Sequence, residues 1–386
     1  MRAHRHVALA LGLALVCAAA ASSAAAAPVV RAPSAILLEA SGGKVLWEKD
    51  ADRPLPIASL TKIMTMTLVL EALRDGKVTL DDVVVGSALA RSMGGTQIWL
   101  EEGEQMSLRD MLYAVAVGSA NDCAVALAEH VAGSVDEFVR LMNQRAAQLG
   151  MTHTHFANPT GLDAPDNYST ARDLALLSRY AVTLPLFLEL TSTWDYYVRK
   201  GTPKEVWLTT FNKLLKQYPG YDGIKTGFTD TARYCLAATA KRDGLRLIAV
   251  VLGAPTAKER TADVRALLDY GFRAYEAVKV LPGGSAVASV EVWKGAQDRV
   301  DAVAAEDVYV VVPRGQRGRW QKEVVLPKPV VAPVKKGQVV GVLVFTREGE
   351  KVAEVPLVAA AEVPRGNVVK IFLQTTRQLL RSLFRR

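Results

Sequence analysis

The hydrophobic pattern changes period several times along the chain, and each change marks an element. Residues 34–49 (SAILLEAS-GG-KVLWEKD) alternate around a Gly-Gly pair, which predicts a β-hairpin. From 59 to 74, Leu60, Ile63, Met64, Leu68, Leu70 and Leu73 recur at helical spacing. Further helical blocks cover 107–132, interrupted near Gly118, and 135–149. Residues 156–168 (FANPTGLDAPDNY) are a loop by composition, and 171–182 return to helix. Apolar runs at 234–240 and 245–253, joined by Arg242-Asp243-Gly244, read as strands, and a long amphipathic helix at about 257–278 follows. Residues 28–280 thus read as an α/β unit with helices in the middle and antiparallel strands at both ends.

At Leu281-Pro282-Gly283-Gly284 the pattern shifts. From there to 365, short valine-rich runs (VASVEVW, VYVVV, VVGVLVF) alternate between Pro and Gly punctuation, which predicts a small all-β domain. It holds no nucleophile or metal cluster and reads as a spacer or interaction module. In 366–386 the period returns to helical. Val368, Val369, Phe372, Leu373, Leu379, Leu380, Leu383 and Phe384 fall on one face, with Lys370, Arg377, Arg381 and Arg385 opposite. Such a helix suits the surface of an anionic membrane better than a span.

The chain has 386 residues, with 47 Lys+Arg against 39 Asp+Glu. The excess sits at the ends. Residues 1–27 carry Arg2 and Arg5 and no acid, and 366–386 carry five basic residues and no acid, leaving +1 on 28–365. A nucleic-acid binder places a basic stripe on a folded domain, so no nucleic-acid partner is expected. Residues 1–27 combine this basic start with an apolar run, Val7–Ala21, and the small residues Ala24–Ala27. That is the layout of a cleaved secretory signal, and it places the protein outside the cytoplasmic membrane. Two cysteines then remain, Cys123 and Cys235, either one disulfide or two small buried residues.

Three short elements carry chemistry: Ser59-Leu60-Thr61-Lys62, Ser119-Ala120-Asn121 and Lys225-Thr226-Gly227. Residues three apart on a helix share a face, so Lys62 can approach the Ser59 hydroxyl. A serine hydroxyl needs a base to attack a carbonyl, and a lysine serves as one when burial or nearby cations keep it neutral. Ser119 and Asn121 offer a relay and an amide. Lys225 and Thr226 suit a substrate carboxylate, and Gly227 leaves room for an extended peptide along a strand edge. Singly each element reads as a helix cap or a surface lysine; their order and contexts favour one site. Ser41-Gly42-Gly43-Lys44 repeats the first spacing but lies in a hairpin turn with no shared face. His153 and His155 alternate on a possible strand as half of a metal site without a third ligand, so no metal is expected.

With ASLTKIMT (58–65), SANDCA from 119, FANPTGLD (156–163) and DGIKTGFTD (222–230), the chain resembles the low-molecular-weight penicillin-binding proteins, the serine-type D-alanyl-D-alanine carboxypeptidases. The resemblance implies an antiparallel sheet flanked by helices, a β-sandwich domain at 281–365 and a membrane-anchoring helix at 366–386, behind a catalytic domain at 28–280. It implies that Ser59 is acylated by peptidoglycan stem pentapeptides and by β-lactams, with Lys62 as base, Ser119 and Asn121 in the proton network, and no cofactor. Lys225 and Thr226 would hold the terminal carboxylate beside Gly227, and backbone N–H groups of Ser59 and Phe228 the oxyanion. Phe228 stands where well-known members carry His, and Phe211 where some carry Arg, leaving Arg233 or Arg260 to supply a cation. A β-lactamase, a D-Ala endopeptidase and a non-catalytic wall-binding protein are the competing readings.

Overall fold

The computed structural model describes residues 26–316, 320–326, 329–347 and 349–383. The signal expected at 1–27 lies almost wholly outside them. In chain order the elements that matter here begin with the hairpin β1 (Ser34–Glu39) and β2 (Val45–Lys49). Helices α1 (Lys62–Arg74), α2 (Leu108–Val117), α3 (Asn121–Ala132), α4 (Val135–Gln148) and α5 (Ala171–Ala181) follow. A two-stranded ribbon, β3 (Asp195–Val198) and β4 (Val206–Thr209), precedes β5 (Tyr221–Thr229), β6 (Arg233–Arg242), β7 (Leu245–Ala254) and α6 (Ala257–Ala274).

One antiparallel five-stranded sheet, in the order β2–β1–β7–β6–β5, organises this part. All six residues of β1 are buried, where an alternating hairpin would leave one face wet. The strand feeds two cores instead. Ile36 and Leu38 pack with Ile248, Val250 and the helices α1 to α5, while Ala35 and Leu37 pack with Leu247, Ala249 and Leu267 of α6. A strand covered on both faces reads as a continuous apolar run. The last strand, β5, pairs only with β6 in this sheet, so its other edge is open.

Serines and threonines start the helices. Ser107, Ser134, Thr170 and Thr256 each accept a backbone N–H three residues on, at the N-termini of α2, α4, α5 and α6. The expected helix at 257–278 stops at Ala274. Tyr275 opens a strand (Tyr275–Leu281) that pairs antiparallel with Val308–Pro313, and this pairing outweighs the helical spacing of the last residues. Beyond it lies an all-β part, a six-stranded mixed sheet and this two-stranded one sharing a core of Val290, Val310, Leu343 and Phe345. The final helix, α7 (Val368–Leu383), leaves Val368, Val369, Phe372 and Leu373 more than half exposed.

Candidate active site

The first motif sits at a change of helix type. Ala58–Thr61 form a 3₁₀ turn that runs directly into α1. Ser59 lies half-buried in the turn, and Lys62, the first residue of α1, is wholly buried. Its Nζ lies 3.0 Å from Ser59 Oγ, 2.6 Å from Asn121 Oδ1 and 2.6 Å from the Thr160 carbonyl oxygen. Asn121 Nδ2 donates to the Gly94 carbonyl, which turns Oδ1 toward the lysine. Two of the three partners can only accept, and the third is a hydroxyl. A neutral amine has two N–H bonds and one lone pair, so it fits this set with the lone pair facing Ser59. Burial, then the charge of Lys225, hold the Lys62 pKa well below its ordinary value, with Asp122 acting in the opposite direction.

The second motif is a helix joint. Ser119, in the left-handed region at φ 60°, closes the break between α2 and α3. Thr96 fastens it: its hydroxyl donates to the Ser119 carbonyl and its own carbonyl accepts the Asn121 N–H, both at 2.8 Å. Asp122, fully buried, accepts the backbone N–H groups of Ile98 and Leu100 at 3.0 Å and so ties the neighbouring loop to α3.

The third motif lies within β5. Lys225 and Gly227 point to the Ser59 side, and Thr226 and Phe228 to the α6 side, by strand alternation. Lys225 Nζ donates to Ser119 Oγ at 3.0 Å, and burial, then the charge of Arg260, lower its pKa to about 7. A Cβ on Gly227 would come within 3.0 Å of the Ile57 carbonyl oxygen and 3.2 Å of the Ser59 nitrogen. Phe228 packs against Tyr234, ring centres 4.4 Å apart. The three motifs thus meet in one groove of about 840 Å³.

Four contributors lie outside the three motifs, and of them the sequence singles out only Arg260, as one of two candidate cations. FANPTGLD brings the Thr160 carbonyl to Lys62, because Asn158 Oδ1 gathers the Thr160 N–H, the Thr160 hydroxyl and the Gly161 N–H into one tight turn. Gly161, at φ +83°, presses on the Ala58–Thr61 turn: a Cβ there would lie 1.9 Å from the Ala58 carbonyl oxygen. The carboxylate of Asp122 is the third, and Arg260 the fourth. Arg260 is 9% exposed, lines the groove beside Thr226, and its Nε has no hydrogen-bond partner. Arg233 instead bonds the Pro255 carbonyl at 3.2 Å. Phe211 lines the groove, while Asn212 beside it is buried and accepts from Tyr221.

The remaining candidates separate. Ser41 donates to Glu39 within the hairpin turn, away from any lysine pairing of the Ser59 kind. His153 lies in a turn and His155 in an isolated bridge to Tyr168, so they share no strand. Cys123 and Cys235 are both free and buried.

Comparison with known proteins gives the family of the chain. The family model for D-alanyl-D-alanine carboxypeptidase matches residues 21–256, and that for the C-terminal domain of penicillin-binding protein 5 matches 275–365. The chain is 41% identical to the D-alanyl-D-alanine carboxypeptidase DacF of Bacillus subtilis over 345 residues, 89% of each chain. It is 37% identical to DacA of Escherichia coli K12 over 349 residues, 88% of this chain and 85% of that one. Among solved structures, penicillin-binding protein 5 of Haemophilus influenzae superposes with a TM-score of 0.69 at 33% identity, over 88% of this chain and 99% of that one. The protein belongs to the serine-type D-alanyl-D-alanine carboxypeptidases, the low-molecular-weight penicillin-binding proteins.

Proposed function

We propose that the chain removes the terminal D-alanine from peptidoglycan stem pentapeptides through an ester on Ser59. The observation that carries this reading is the buried amine of Lys62, whose two acceptor partners leave its lone pair to the Ser59 hydroxyl. Lys62 takes the hydroxyl proton as Oγ attacks the carbonyl carbon of the penultimate D-alanine. The oxyanion is received by backbone N–H groups of Ser59 and Phe228. The C–N bond then breaks, the leaving amine takes a proton through the Lys62–Ser119 network, and D-alanine departs. Water, deprotonated by Lys62, hydrolyses the ester and restores the serine. The cationic wall formed by Lys225 and Arg260, with the Thr226 hydroxyl, holds the terminal carboxylate.

A β-lactam undergoes the same attack, but its opened ring stays attached. Rapid release would need a further base. The group that the 156–168 loop presents to Lys62 is the Thr160 carbonyl, and Asp163 is engaged with Thr229. A persistent penicillin adduct on the Ser59 peptide, measured by mass spectrometry over time, tests the reading. Rapid turnover of penicillin would favour a β-lactamase, and the absence of any adduct a non-catalytic wall-binding protein.

The same reading puts the chain at the outer face of the cytoplasmic membrane. Lys370 and Gln374 of α7 turn inward, to Ala296 and Asp298, while Val368, Val369, Phe372 and Leu373 face solvent. An outward apolar face with basic flanks favours an interfacial anchor.

A further inference from the structure

The ribbon β3–β4 lies apart from the main sheet and carries a surface that the proposed reaction leaves unused. Its register pairs Tyr196 with Leu208 and Tyr197 with Trp207. The first pair faces inward: Tyr196 stacks on Tyr113 at 4.1 Å, and Leu208 presses on Gly118, one residue before Ser119. The second pair faces out, 43% and 59% exposed. The Tyr197 and Trp207 rings lie within 14° of parallel, and the Trp207 indole N–H donates to Asp195, which fixes the plane of the larger ring.

The ribbon is rigidly joined to the catalytic segment. Arg199, in its turn, donates to the Ile98 carbonyl at 2.8 Å and pairs with Glu104. Between Ile98 and Leu100, whose amides are held by Asp122, stands Trp99, 67% exposed and at φ 57°. A bulky residue in the left-handed region is strained and persists where its surroundings impose it. Beside Tyr197 runs a groove of about 620 Å³ lined also by Asp110, Asp195, Lys200 and Thr202. An adjoining hollow of about 550 Å³ shares Asp110, Arg199 and Thr202 with it.

We infer that this surface binds a chain of N-acylated hexosamines, the glycan from which stem peptides hang; the inference rests on the reading proposed above. A pyranose ring offers a flat face of C–H groups, which stacks on a fixed aromatic, and an edge of hydroxyl and acetamido groups. The groove supplies the matching mixture of acceptors and donors. Its charges are of both signs, which does not suit a polyanion, and on the ribbon the polar pair Asp195 and Thr209 flanks the aromatic pair on one side, which does not suit lipid. Glycan held on the outer face of this ribbon, whose inner face packs one residue from Ser119, raises the local concentration of its own stem peptides at Ser59.

The test uses the full chain and a hexamer of N-acetylglucosamine as probe, titrated by calorimetry. Saturable binding is expected, lost in Trp207→Ala, weakened about tenfold in Tyr197→Ala and partly kept in Trp207→Phe (one lost stacking contact of ~1.4 kcal/mol). Penicillin acylation and D-alanine release from free pentapeptide should be unchanged in all three variants, while release from polymeric wall falls. No saturable binding, or equal processing of polymer by wild type and Trp207→Ala, overturns the inference. A wild type inert on free pentapeptide counts against the catalytic reading alone, because the hexamer titration does not depend on turnover.

Discussion

Lys62 Nζ stands 3.0 Å from Ser59 Oγ with no part of the lysine exposed to solvent. In the proposed reaction the pair acts only when the amine is neutral, so falling pH is expected to switch it off. In the same proposal Lys225 meets the substrate carboxylate as a cation, so rising pH through its pKa of about 7 is expected to weaken recognition in the free enzyme. A bell-shaped kcat/KM profile for D-Ala-terminated peptides is expected, its limbs belonging to the coupled pair. Lys225→Arg should keep the acid limb and move the basic limb upward, because arginine stays charged. A basic limb unmoved in that variant would remove Lys225 from carboxylate recognition.

Gly161→Ala should damage the nucleophile without touching substrate. The new Cβ meets the Ala58 carbonyl and the Ser59 nitrogen, main-chain atoms with no flexible end to swing aside, from a backbone at φ +83°. A loss of roughly 3 kcal/mol or more of stability follows from strain plus overpacking. Displacing the serine should also slow acylation by about a hundredfold. Penicillin acylation kinetics and thermal unfolding check both.

Much of this site was legible because its chemistry lies at helical spacing or in short contiguous motifs. Ser59 and Lys62 share a helix face, and Ser119 and Asn121 mark an interrupted helix. Thr160 was not legible in the same way, because it contributes a main-chain carbonyl and its side chain reveals nothing of that. Asp122 and Arg260 act through placements that only the fold creates. The strand β5 was hidden by Asp, Gly and Lys in a stretch without alternation, yet its edge position is what leaves Gly227 open to a peptide. In the fold, β1 lost its expected alternation because both its faces are covered, and Tyr275–Val278, expected to end the helix, opened a strand because its partner lies some thirty residues on.

Arg260, not Arg233, is the expected second cation. Arg260→Ala should raise KM for D-Ala-terminated peptides by about 10- to 100-fold, the loss of one charge-assisted hydrogen bond, while Arg233→Ala should change little. Steady-state kinetics on the two variants decide this. Equal KM values for Arg260→Ala and wild type would leave carboxylate binding to Lys225 and Thr226.

Asp263 positions that arginine from one turn further along α6. It is 2% exposed and accepts the backbone N–H groups of Arg31 at 3.1 Å and Ala32 at 2.8 Å, while Arg31 pairs with Glu259. The segment before β1 therefore straps down the first turns of α6. Asp263→Asn should raise KM several-fold with kcat held, on the order of 1 kcal/mol for a weakened charge-assisted bond. A fall in kcat with KM unchanged would contradict a positioning role.

Deleting 366–386 should release the protein from membranes into the soluble fraction without changing penicillin acylation, since α7 packs on residues 294–298 of the all-β part and none of its described residues lines the groove at Ser59. Fractionation of cells expressing the truncated chain provides the check, and unchanged membrane association would exclude α7 as the anchor.

The most direct measurement is free D-alanine released from a stem pentapeptide ending in D-Ala-D-Ala, comparing wild type with Ser59→Ala. The account expects release by wild type and none by the mutant, with both chains folded. No release by folded wild type, or equal release by both, would contradict it.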